Sequence, residues 1–173
     1  MISDEYAAGF FDGEGSVYAT VRKGPRRATS PTILVCCTNT NREILEAHQK
    51  RWGGSIWRRK MHGNRKVQYQ WVLCTRKAVG FLRAIHPHLV VKRPVVGLAI
   101  QYCDLQALPH KERLDYSGRV YRRGRWWVAP RLKESHKKKI APLFDRIREL
   151  NARGAPRNAM RQAHGPIADE AWA

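Results

Sequence analysis

Ten residues near the amino terminus, Ala7 to Ser16 (AAGFFDGEGS), constrain the fold more than any other stretch, because they close a short apolar helix with two carboxylates and three glycines. Ser3 is placed to cap that helix, and Asp4 and Glu5 suit its positive end. Gly9 and Gly13 stand one turn apart beside Ala8 and form a smooth stripe on which a second helix can approach closely. Glycine inside a helix costs about 1 kcal/mol relative to alanine, a cost tolerated where another backbone must come near. Gly13, Glu14 and Gly15 end the helix with carbonyls left unpaired. Those carbonyls and the Glu14 carboxylate favour a hard cation.

The charge balance points the same way. Lys and Arg number 33 against 14 Asp and Glu, a net charge of +19 that calls for a polyanionic partner. With 43% hydrophobic residues and six Trp, the 173-residue chain can still bury the core of one domain. No apolar run is long enough to span a bilayer and the first residues lack a signal peptide's pattern, so no membrane partner and a soluble, intracellular protein are expected. Cys36, Cys37, Cys74 and Cys103 form no CxxC pair and sit in apolar runs, which favours buried free thiols over disulfides or zinc.

After Gly15 the hydrophobic period switches from helix to strand. Val17, Ala19 and Val21 alternate with polar residues, a basic turn follows at Gly24 and Pro25, and a second strand runs from Thr32 to Asn39. Thr40 and Glu43 have capping-box spacing and open a helix to about Trp52, stopped by Gly53 and Gly54. A second hairpin pairs Ser55–Met61 with Lys66–Cys74, in which Val67, Tyr69, Trp71 and Leu73 face one way and Gln68 and Gln70 the other. Helices are then expected from Arg76 to Ile85 and from Val90 to about Leu105, separated by Pro87.

This order, α-β-β-α-β-β-α-α, implies one four-stranded antiparallel sheet with helices on one face and a polar, basic face left open. Twelve basic residues against two acidic ones lie between Arg22 and Lys66. Arg22, Lys23, Arg26, Arg27, Arg58, Arg59, Lys60, Arg65 and Lys66 fall at strand ends and turns, within reach of phosphates. Thr32, Gln68 and Gln70 suit base edges in a major groove. Residue by residue, a merely solvated charged sheet is the competing explanation; the lopsided balance of the whole stretch favours nucleic acid.

Ala7, Ala8, Gly9, Phe10, Phe11, Asp12, Gly13, Glu14 and Gly15 match in order the signature of the LAGLIDADG homing endonucleases, with alanine in place of the leading leucine. The chain resembles that family from about Ser3 to Leu105. The resemblance implies an α+β fold, the mixed α/β homing-endonuclease saddle whose sheet lies in the major groove of double-stranded DNA, here with an extra C-terminal helix. It also implies hydrolysis of phosphodiester bonds with Mg2+, or Mn2+ as the alternative. The family's last acidic motif residue binds the metal, a role that passes to Glu14, assisted by the Gly13 carbonyl, whereas Asp12 is expected to support the helix end. The family's lysine a few residues beyond a proline corresponds to Lys92, and its polar residue at the end of the second strand and basic residue just inside the next helix correspond to Thr38 and Arg42.

One motif copy and no internal repeat imply a homodimer, joined through the Ala8, Gly9 and Gly13 stripe and suited to a long, roughly palindromic site. An RNA-binding maturase of the same fold, or a DNA-binding regulator that does not cut, would keep the basic face without needing Glu14. Beyond Leu105, the eleven basic and three acidic residues of Lys111–Lys139 read as a basic loop around Trp126 and Trp127, both expected in the core. A closing helix with Leu143, Ile147 and Leu150 at helical spacing follows. Arg119, Arg122, Arg123 and Arg125 are candidate phosphate contacts. The expected domain covers residues 1–151, with a flexible basic tail over 152–173.

Overall fold

The computed structural model describes residues 2–23, 29–59, 63, 66–122, 125–128 and 130–152. The expected element order is present: helix α1 (Asp4–Glu14), strands β1 (Gly15–Lys23) and β2 (Thr29–Asn39), helix α2 (Arg42–Trp52), strands β3 (Ser55–Arg58) and β4 (Tyr69–Cys74), helix α3 (Thr75–Ile85), a 3-10 turn over His86–His88, and helix α4 (Arg93–Ala107). The strands form one antiparallel sheet in the order β1-β2-β4-β3. No helix among the described residues is long and apolar enough to cross a membrane.

Strand alternation separates the two faces of this sheet. Val17 of β1, Ile33, Val35 and Cys37 of β2, and Trp71 and Leu73 of β4 all point to the helices and are buried with Ala7, Ala8 and Phe11 of α1, Phe81 and Leu82 of α3, and Val96 and Tyr102 of α4. Phe81 meets the Trp71 ring edge-on at 5.1 Å and the Phe11 ring at 5.5 Å. Each such ring removes enough apolar surface from water to stabilise the fold by about 2–3 kcal/mol. The Trp71 indole N–H donates to the Gly53 carbonyl at 2.8 Å, so its polar edge is satisfied inside the core. Gly54 lies at φ 94°, and a Cβ there would meet the Val72 carbonyl oxygen at 2.6 Å; only glycine fits where α2 turns into β3.

The capping box expected at Thr40 and Glu43 does not form. Asn41 caps α2 instead, accepting the Glu43 N–H at 2.9 Å. Paired hairpin strands are shorter than the sequence pattern suggests, although Arg59 N–H still donates to the Gln68 carbonyl at 2.9 Å.

Beyond α4 the expected basic loop is more ordered than its composition indicates. A short helix α5 (His110–Arg113) and strand β5 (Leu114–Asp115) precede a hairpin of β6 (Arg119–Arg122) and β7 (Arg125–Val128), followed by β8 (Arg131–Leu132) and helix α6 (Glu134–Asn151). Trp126 is 66% exposed on that hairpin, not in the core. Ile140, Phe144 and Ile147 are the buried stripe of α6, and Leu150, expected on it, is exposed. The helix packs on α4 and β1, and Asn151 donates to the Val17 carbonyl at 2.5 Å. All four cysteines are free thiols, as expected.

Candidate active site and nucleic-acid face

Helix α1 delivers the motif to the end of the sheet. Ser3 accepts the Tyr6 N–H at 3.2 Å and caps the helix as expected. At the other end Gly15 leaves the helix in extended conformation and enters β1 opposite Cys37. A Cβ on Gly15 would lie 2.2 Å from the Phe11 ring, so this glycine is fixed by packing within the chain. At Gly9 and Gly13 an added Cβ meets nothing within 4 Å. Nothing inside the described protein explains those two. The expected stripe also needs correction, because Ala8 is 0% exposed and turned into the protomer's own core; the open surface is carried by Tyr6, Gly9 and Gly13.

The two motif carboxylates have separate lives. Asp12 does not support its own helix end. Its carboxylate accepts the backbone N–H groups of Val90 at 2.7 Å, Val91 at 3.2 Å and Lys92 at 2.8 Å, holding the turn that leads into α4. Burial works against the charge, but the three N–H donors outweigh it and keep the Asp12 carboxyl below the usual carboxylate range. Lys92 closes the clasp from the other side, its ammonium donating to the Asp12 carbonyl oxygen. A cation is thereby held at the negative end of α1.

Glu14, one turn-end further, is exposed and has no hydrogen bond or ion pair among the described residues. It shares a neighbourhood with Lys92: burial, with Cys36 adding to it, pushes the Cys37 thiol up, Lys92 pulls against this and Glu14 reinforces it.

The remaining expected site residues lie at this end of the sheet or along its open face. Thr38 is one residue beyond the Cys37–Gly15 pair, and its hydroxyl accepts the Gln70 amide at 3.4 Å. Arg42 opens α2, pairs with Glu46 at 2.7 Å and stands 5.6 Å over the Tyr69 ring, so part of its charge is already compensated. Gln68, Gln70 and Thr32 do lie on the open face, Thr32 opposite Thr20. Arg59 lies on it too, near enough to draw down the Cys36 thiol that burial pushes up to about 11.

Arg58 does not belong to that set. It is in register with Tyr69, two residues along from the Ile56–Trp71 pair, and therefore emerges at the rim of the helix-packed face. Lys66 is exposed, as are Arg119 and Arg125 on the β6–β7 hairpin. The backbones of Arg22 and Lys23 end β1, and that of Arg122 ends β6. Arg26, Arg27, Lys60, Arg65 and Arg123 lie outside the described residues, as does nearly all of the expected tail.

What sequence reasoning missed was the clasp. Lys92 occupies the N-cap position of α4 and makes no side-chain cap hydrogen bond; the N–H groups that Asp12 accepts are its own and those of the two residues before it, ahead of the helix. The open face is also less polar than expected. Tyr18 is 49% and Trp57 62% exposed, and Leu34 and Val72 stand between them on β2 and β4.

No protein-family model and no curated protein matches the sequence. Solved structures do. The fold is similar to that of an archaeal intron-encoded homing endonuclease, I-Vdi141I, complexed with DNA, at a TM-score of 0.62 and 17% identity over 89% of this chain and 87% of that one. I-CvuI in complex with its target in the presence of 2 mM Ca gives 0.61 and 17% over 92% and 90%. The I-SmaMI LAGLIDADG homing endonuclease bound to cleaved DNA gives 0.59 and 17%, over 96% of this chain but 50% of that one. With the helix motif entering this sheet in this order, the chain has the LAGLIDADG homing-endonuclease fold.

Proposed function

We propose that this protein is a site-specific endonuclease that hydrolyses phosphodiester bonds in both strands of a long, roughly palindromic DNA duplex, acting as a homodimer with a divalent cation. The observation that carries this reading is the Asp12 clasp, which presents the Lys92 ammonium beside the unpaired Glu14 carboxylate at the edge of an open sheet.

The donor set suits a hard cation that keeps part of its water and takes further oxygens from phosphate. Among the described residues no group of three His, Cys, Asp or Glu could hold a metal alone, and Asp12 is committed to three N–H groups. Glu14 and the Gly13 carbonyl would therefore hold Mg2+ or Mn2+ together with the DNA. The cation supplies Lewis-acid chemistry at the scissile phosphate when bound. Lys92 sets positive charge where the phosphate gains negative charge, a contribution that survives only where water is excluded. Thr38, its oxygen already accepting from Gln70, has its own hydroxyl proton left to orient a water. Arg42 is a backbone-phosphate contact at the same end.

One Glu14 serves one strand, so two copies are needed for both. The open Tyr6, Gly9 and Gly13 surface of α1 supports a two-fold helix contact that would bring the two carboxylates together, and the match to half of the I-SmaMI chain is what one such copy would give. Arg59, Lys66, Arg119 and Arg125 with the strand-end arginines would follow the phosphates, and Gln68 and Gln70 would read base edges.

The test is to incubate the protein with a randomised duplex library in Mg2+ and to sequence the ends that appear. Cuts in both strands at a two-fold-related sequence, stopped by EDTA, are expected. Duplex binding with no cuts in Mg2+ or Mn2+ would identify a regulator, and preferential binding of structured RNA a maturase.

A further inference from the structure

The open face of the sheet is arranged in rows across its strands, and the middle rows are apolar. Starting from the end that carries Glu14, Trp57, Gln70 and Thr38 form one row; Ser55, Val72, Cys36 and Ser16 the next; Cys74, Leu34 and Tyr18 the third; and Thr32 with Thr20 the fourth. Residues directly opposite one another share a face, so Leu34, Val72, Tyr18 and Trp57 form a continuous apolar strip. Neither Leu34 nor Val72 packs against the core cluster. A cationic residue flanks the strip at the Glu14 end, where the Arg59 N–H pairs with the Gln68 carbonyl.

From this we infer that the strip reads thymine methyl groups in the major groove. The inference rests on the proposed DNA function and specifies what the sheet recognises. The flanking Arg59 and the chain's net charge of +19 fit a polyanion, and in the major groove of duplex DNA the one apolar group on a base edge is the thymine C5-methyl. An aliphatic row offers nothing to the hydrogen-bonding edges of a G·C pair and would leave them desolvated. RNA is a poor match, since uracil lacks the methyl and the A-form major groove is too narrow for a sheet. The third row lies four residues along β1 from Glu14, ~13 Å at the rise of a strand, so A·T pairs are selected inside each half-site and away from the cut.

The test compares one duplex pool copied two ways. Duplexes selected by the wild-type protein from a randomised library are recopied with dUTP in place of dTTP, which removes only the C5-methyl groups, and both pools are titrated. Binding to the uracil pool is expected to be weaker by about fourfold for each buried methyl lost. In the Leu34→Ser/Val72→Ser double variant, which removes the two aliphatic side chains and keeps Tyr18 and Trp57, the ratio between the two pools should fall toward one. That ratio is taken within each protein and is independent of overall affinity. Equal binding of both pools by the wild type overturns the inference while leaving DNA recognition intact, and the wild-type ratio decides alone if the double variant does not fold. A thymine preference that is undiminished in a folded double variant also overturns it. Failure to bind any duplex overturns the proposed DNA function, and this inference with it.

Discussion

The two faces of the central sheet are made from the same strands and do different work. On the helix side, Trp71, Leu73, Ile33 and Val35 are fully buried and interlock with the rings of Phe11 and Phe81. On the other side, Tyr18 and Trp57 are exposed beside Leu34 and Val72. A one-residue shift along a strand separates a position that holds the fold from one that is free to meet a ligand. The C-terminal end of α1 repeats the lesson within three residues, where Asp12 is consumed by three N–H groups and Glu14 is left free.

Substitutions on the two faces test this contrast. Trp71→Ala is expected to cost about 3–5 kcal/mol of unfolding free energy, measured by denaturant titration, because it removes a buried ring and its neighbours relax only partly. Trp57→Ala on the opposite face should stay within about 0.5 kcal/mol. Asp12→Asn should cost about 1–3 kcal/mol, since it removes a charged acceptor from three N–H groups and leaves at least one poorly satisfied. It should also slow cleavage by releasing Lys92, which a single-turnover assay at saturating protein will show. Gly15→Ala should cost about 1–3 kcal/mol through the clash with Phe11, whereas Gly9→Ala should leave the protomer unharmed or slightly more stable and show its cost only in assembly, by sedimentation on DNA.

The smallest effect concerns pH. Burial holds the His48 pKa below its ordinary value, against its hydrogen bond to the Ile44 carbonyl, and burial with Arg113 and Lys139 does the same for His136. Both are neutral in the fold while the unfolded chain takes up protons below about pH 6.5. Their contribution is therefore complete above that pH and is lost as pH falls below it, by no more than about 1.4 kcal/mol per pH unit for each. A melting temperature that is flat from pH 7 to 5.5 would contradict the burial of these rings.

Much of this was legible because it is periodic. The alternation of Val17, Ala19 and Val21, and of Tyr69, Trp71 and Leu73, fixes strands and their inner face, and the glycine-acid run after Phe11 fixes where α1 stops. Period-two alternation also puts Trp57 opposite Ile56, so its exposure was available to the same reasoning once Ile56 was assigned to the core. Long-range pairings were not legible. Asp12 meets Val90, Val91 and Lys92 across about eighty residues, and no local pattern encodes that. The β6–β7 hairpin was hidden by composition, because arginines dominate the stretch. Ala8 was grouped with Gly9 by size, yet neighbours on a helix are turned by ~100°, which sends one inward and the other out.

The central claim is that Glu14 acts and does not build. It is tested most directly by Glu14→Gln, assayed for cleavage of a selected duplex in Mg2+ at protein concentrations that give wild type and variant equal occupancy. Strand cleavage should fall by on the order of 10³-fold or more, with duplex binding and melting temperature retained. Cleavage at the wild-type rate would contradict it.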